Sequence, residues 1–188
     1  MATMEITLSW DLMVIVFFAV VIAYSFIVGK DESIKIVIAS YISILAVQGI
    51  GNILSLFFRN AGSMTAFLGV DVNNNIVSTA KLIIFVAMII FLAIRGGFEM
   101  QSSSSLGGIM EPIITAAFGI ATAGLLLTAL LTFIAARPLL DLTLIDAPLL
   151  SPLLQQSTLV QWMVVYQHVW YSLPALLLLV IGFLNNRE

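Results

Sequence analysis

The sequence predicts an all-α, polytopic membrane protein: one integral membrane domain of four to five transmembrane helices. Composition and run length carry that prediction. Of 188 residues, 61% are hydrophobic and only 9% charged, with a mean hydropathy of +1.15. A soluble domain is roughly 45–50% apolar and about 25% charged. A globule of this size cannot hide so much apolar surface and still cover itself with water-compatible side chains. About 20 apolar residues cross a bilayer as a helix, and five runs fit that length, at residues 10–29, 36–58, 76–98, 109–136 and 160–184.

The first run carries no charge after Asp11, and Trp10 at its mouth suits the interfacial aromatic belt. Residues 1–9 hold Glu5 and no Lys or Arg, and no small-x-small cleavage site follows, so a retained span is expected in place of a signal peptide. Residues 30–35, KDESIK, read as a short charged link. In the second run Ser40, Gln48, Gly51, Asn52 and Ser55 fall on one side of a helical wheel, with Ser33 just before them. A stripe of amides and small residues belongs against another helix, where backbones approach closely and amides find partners.

The third run has an uncharged centre bracketed by Lys81 and Arg95, whose long side chains can snorkel to opposite headgroup regions. Arg95 also has Glu99 at ion-pair spacing. Polar, turn-rich loops are expected on both sides of this run. In the fourth run Thr115, Gly119 and Ala123 recur every four residues, with Gly108, Ala116 and Thr122 on the same side. That small-xxx-small pattern predicts a close helix–helix contact. Glu111-Pro112 marks the start of this helix.

Residues 139–157 are apolar but broken by Asp141, Asp146, Pro148 and Pro152, which reads as an interfacial or irregular segment. There Ser151-Pro152 resembles an N-cap followed by Pro at the first helical position. The last run contains Gln161, Gln167, His168 and Pro174, its one interior helix breaker. It reads as a kinked fifth span. The other reading is an interfacial helix, with Ser157, Gln161, His168 and Ser172 on one face, before a shorter buried helix. Five spans would put Lys30, Lys35, Arg95 and Arg187 on one side against Arg59, Lys81 and Arg137 on the other, a margin too small to orient the chain.

Several function classes are disfavoured. The net charge is −3 and the seven Lys and Arg are scattered, so no basic patch can hold nucleic acid. With no Cys and one His, no cofactor or metal site is expected. No phosphate loop, HExxH or GxSxG signature appears, and the chain reads as non-enzymatic. The intramembrane polar residues Asp11, Lys81, Arg95 and His168 each have two readings. They could line a hydrated path, or they could be a helix N-terminal acid, two snorkelling cations and an interfacial ring; the second set is favoured.

With these runs laid out, the chain resembles the colicin V production (CvpA) family of small bacterial membrane proteins. Three places carry the likeness: Trp10-Asp11 opening a uniform span that ends in Gly29-Lys30 and an acidic residue; Leu106-Gly107-Gly108 with Phe118-Gly119 in the fourth run; and Gln156-Ser157-Thr158-Leu159. The family's basic residue within the Gly-rich helix has no counterpart, since Thr122 and Ala123 stand there, and its usual loop Asp is missing too. The resemblance implies a bacterial inner-membrane protein linked to colicin V production or export and to envelope maintenance, without defined catalytic residues. Expected partners are the lipid bilayer and either further copies of the chain or another membrane protein. The alternative is a transporter or channel component with Asp11, Gln48, Asn52 and His168 along a path, but no internal repeat of the kind transporters show is evident.

Overall fold

The computed structural model describes residues 9–60, 74–95, 110–135, 137, 139–141 and 150–185. Every regular element among them is an α-helix. Helix α1 is Trp10–Val28, and α2 starts directly after Gly29 with the apolar stretch Lys30–Ile53, remaining helical to Asn60. There follow α3 (Asn74–Arg95), α4 (Met110–Ile134), α5 (Ser151–Gln156), α6 (Thr158–Val165) and α7 (Gln167–Asn185). Helices α1 to α4 are each long and apolar enough to cross a membrane. Together α6 and α7 form a fifth apolar unit, bent by 67°. The expected loops at 61–73 and 96–109, Glu99 and the side chain of Ser55 lie outside the described residues.

One residue turns the chain between α1 and α2. Gly29 has φ 85° and ψ 178°, a region in which a Cβ is strongly disfavoured. Ser33 Oγ lies 3.5 Å from the Ser25 carbonyl. In an uninterrupted helix, residues eight apart are separated by about 12 Å along the axis, so the chain folds back sharply here. Ser33 Oγ also donates to the Gly29 carbonyl at 2.8 Å. The stretch 30–35 is therefore the opening of α2 and not a link. Its acids, Asp31 and Glu32, sit at a helix N-terminus, where the macrodipole favours them, and Glu32 pairs with Lys35 at 3.3 Å.

Helix α4 is the axis of the bundle. Of its apolar window 72% is buried, against 11% for α1 and for α3 and 39% for α2. Three apolar clusters surround it, two on opposite faces of its second half and one near its start. Val14, Leu127, Leu131, Leu154 and Met163 join the start of α1 to α5 and α6. Ile44, Val47, Phe85, Leu125 and Phe133 pack α2 and α3 against the opposite face of the same stretch of α4, where Phe85 and Phe133 meet edge to face at 5.0 Å. Ile34, Val37 and Phe118 meet Leu177, Leu178 and Ile181 near the Gly29 turn. Thus α7 runs from the end where α1 begins toward the end where α2 begins. Large apolar side chains such as Ile15, Ile27, Leu45, Ile90 and Phe91 stay exposed on the outside, as lipid contact allows.

Small residues let these helices close on α4. A Cβ on Gly119 would stand 3.1 Å from Ile22 Cα and 3.2 Å from Ser25 of α1. On another side of α4, the Trp170 ring of α7 occupies the space a Gly124 side chain would need. The small-residue column of α4 is thereby used within one chain. Without a hydrophobic drive between helices in lipid, such backbone-level approach supplies much of the packing attraction.

The break in the last run falls at Tyr166 (φ −99°, ψ 27°) and not at Pro174. Pro174 lies inside α7 and is fully buried. Upstream, α5 is capped by Leu150 with no side-chain bond, so Ser151 is helical and not the cap expected of it. The capping serine is Ser157, whose Oγ accepts from Val160 N at 3.0 Å and starts α6.

Replacing Gly29 with Ala is expected to destabilise the protein by about 1–3 kcal/mol through backbone strain alone, since nothing lies within 4 Å of the added methyl. Gly124→Ala should cost a similar amount through overpacking against Trp170. Gly49→Ala, in open space inside a regular helix, should be neutral or slightly stabilising. Reversible unfolding in mixed micelles checks all three.

Candidate functional site

Two polar clusters join the sequence-distant ends of the chain. The first surrounds Asp11 at the opening of α1. Asp11 Oδ1 accepts from Ser157 Oγ at 2.5 Å and from the Leu159 backbone N–H at 3.0 Å. Beside it, Trp10 Nε1 donates to Gln156 Oε1 at 3.0 Å. Gln161 Nε2 donates to the Leu154 carbonyl and ties α5 to α6.

The logic is that of a shared cap. The first amides of a helix have no intrahelical acceptor. Ser157 answers Val160 N, and Asp11, 148 residues away in sequence from Leu159, answers Leu159 N. Its carboxylate thus stands at the N-termini of both α1 and α6, where two macrodipoles favour negative charge. Asp11 is a structural acceptor in this geometry, holding the α5–α6 elbow against α1.

The second cluster surrounds Tyr41 on α2. Its hydroxyl donates to the Tyr171 carbonyl at 2.5 Å and accepts from Ala175 N at 3.2 Å. Tyr171 O and Ala175 N are the two groups that pair in a regular helical turn, and Pro174 lies between them. The Tyr41 hydroxyl is therefore wedged into the α7 ladder beside the proline, a recognised way of supporting a disturbed turn. Thr132 Oγ1 already donates to the Thr128 carbonyl at 2.8 Å. Its 3.2 Å contact with Tyr171 Oη consequently uses the tyrosine as donor.

The other sequence-derived residues lie apart from these clusters. Ser40 is buried and donates to Ile36 O of its own helix at 2.7 Å. Thr115 does the same to Glu111 O at 2.9 Å. Gln48 is half-buried with Oε1 lacking a partner among the described residues, whereas Asn52 is exposed and partnered. The Lys81 stem crosses α2 at Gly51, filling the space of the absent side chain. Ala123 is buried with Gly119 on α4. Arg95 is exposed at the end of α3. His168 is exposed, 6.4 Å from the Tyr166 ring, and Tyr166 in turn stacks near Trp162 at 5.0 Å.

Asp11, Gln48 and His168 therefore have different neighbours. Among the described residues no three His, Cys, Asp or Glu side chains gather as a metal cage. Sequence reasoning missed Tyr41, Thr132, Tyr171 and the capping role of Ser157. A serine just before an apolar run is a cap signal and could have marked Ser157; nothing local marks Tyr41. No family model matches the chain, and neither a curated protein nor a solved structure does.

Ser157→Ala is expected to cost about 1 kcal/mol, the usual worth of an N-cap hydroxyl. Asp11→Asn should act on the same contact, so the double variant should lose less than the sum of the singles. Faster hydrogen exchange at the Leu159 and Val160 amides is the local readout. Tyr41→Phe should cost about 0.5–1.5 kcal/mol by removing the hydroxyl's two bonds to the α7 backbone, with exchange rising at Ala175.

Proposed function

We propose that the protein is a non-enzymatic, multi-pass protein of the bacterial inner membrane that works by assembling with another membrane protein. Its role is the one the CvpA resemblance implies, toxin production or export and upkeep of the envelope. The observation that carries this reading is the contact between Trp10-Asp11 and Gln156-Ser157-Thr158-Leu159. Two of the three segments on which the resemblance rests are binding partners in the folded chain, so they belong to one structural feature.

Assembly is favoured over transport by how the polar groups are used. Ser40, Thr115 and Thr132 donate to carbonyls of their own helices, Ser33 donates to the Gly29 carbonyl at the turn, and Asp11 caps α6. Groups satisfied in this way add little to a hydrated path. The small-residue column of α4 is occupied inside the chain, which leaves the outer faces of α1 and α3 as the surfaces open to a partner.

Extraction of the tagged protein from its host membranes in gentle detergent, followed by native mass spectrometry, tests this. A stoichiometric second membrane protein is the expected result. Recovery as a lone monomer, together with proton or small-ion flux in proteoliposomes that changes on Asp11→Asn, would overturn the assembly reading in favour of a transport component.

A further inference from the structure

Two paths through a bilayer fit the 67° bend between α6 and α7. Either the two helices cross together as one broken span, or α7 crosses alone and α6 lies on the membrane surface. The levels set by α1 and α4 separate these paths.

Helix α1 supplies the scale. From Asp11 to Gly29 it rises by about 27 Å, close to the roughly 30 Å of hydrocarbon in a bilayer. Charged residues stand at both limits, Asp11 at one and Lys30, Asp31, Glu32 and Lys35 past the other. Helix α4 runs antiparallel to α1, with Gly119 against Ile22 and Ser25 and with Leu127 and Leu131 in one cluster with Val14. The end of α4 therefore stands at the level of Asp11.

Both ends of α6 are held at that same level. At its start, Ser157 Oγ and Leu159 N donate to Asp11 Oδ1. Just past its other end, Gln167 Nε2 donates at 2.7 Å to the carbonyl of Asp141, which lies beyond the end of α4. Asp141 also faces Arg137 at 3.9 Å, and charged groups of this kind belong among headgroups and not in hydrocarbon. A helix tied at both ends to one level lies across the bundle axis, as the bend at Tyr166 requires. Helix α7, Gln167–Asn185, is itself about 27 Å long. It reaches Ile34 near the Gly29 turn through Ile181, so it spans without help from α6.

The side chains agree with this placement. Trp10, Trp162 and Trp170, all the tryptophans of the chain, lie at this end of the bundle. Trp and Tyr favour the boundary between hydrocarbon and headgroups, and Trp162 and Tyr166 are both exposed there. The opposite face of α6, Val160, Met163 and Val164, is buried in the cluster shared with α1 and α4.

We propose that α6 is an in-plane helix whose Trp162–Tyr166 face rests in the glycerol and headgroup layer of the lipid, and that α7 alone makes the fifth crossing. The proposal is independent of the assembly reading above, because it concerns the monomer in its bilayer.

The chain has no cysteine, so single introduced cysteines can carry a spin label in the full-length protein. In liposomes, the label's accessibility to oxygen relative to a water-soluble nickel complex reports its depth. Thr158, Trp162 and Val165 on α6 and Leu176 on α7 are exposed positions suited to it. The three α6 labels are expected near the headgroups and within about 4 Å of one another in depth, the rise of this stretch when inclined by 67°. Leu176 is expected near the bilayer centre. A Val165 label about 10 Å deeper than the Thr158 label, as in a helix aligned with the span, would overturn the proposal. The unmodified protein gives a second readout that needs no variant to fold. Its tryptophan fluorescence is expected to be quenched more by phospholipids brominated near the headgroup than by those brominated near the chain ends, and equal or reversed quenching would also overturn it.

Discussion

In hydrocarbon no water is available to satisfy an open amide or carbonyl, so each must find its partner inside the protein. That single requirement organises this bundle. At the start of α6 and beside Pro174 in α7, a side chain from α1 or α2 pairs with the backbone. Asp11 and Ser157 complete the start of α6. Tyr41 occupies the turn of α7 around Pro174. The elbow of α5, α6 and α7 is therefore anchored by polar bonds at two depths, with apolar packing between them. Phe18 and Trp170 meet edge to face at 5.8 Å in that interval.

Placing α4 at the centre has functional consequences. A helix surrounded by the rest of its own chain has little surface left for a partner, whereas α1 and α3 expose most of theirs. The Gly29 turn brings α1 and α2 together with no linker, and the groove between α1 and α3 follows from that arrangement. Its lining is apolar except for Tyr24 and Ser25 of α1, Ser33 of α2 and Thr122 of α4. Small residues, which in a membrane helix can serve either folding or association, here serve folding.

Much of the architecture was legible because hydropathy and length are local properties. The first span, the bracketing of the third by Lys81 and Arg95, and the start of the fourth at Glu111-Pro112 all follow from neighbours in sequence. The errors share a cause too. Residues 30–35 are charged and read as a link, but a glycine with positive φ turns the chain in one step and leaves them free to begin a helix. Pro174 is a strong local breaker, yet a tyrosine more than 130 residues away supports its turn, while the bend falls at Tyr166.

The sequence by itself determined that this is a helical membrane protein, which segments are apolar enough to span, and which helix carries a column of small residues. Those follow from composition and from the 3.6-residue period, and neither depends on what lies across the bundle. Only the tertiary structure decided what the small residues face and that Asp11 caps a helix from the far end of the chain. Polar satisfaction in lipid is settled between helices, and sequence separation carries no record of which helices meet.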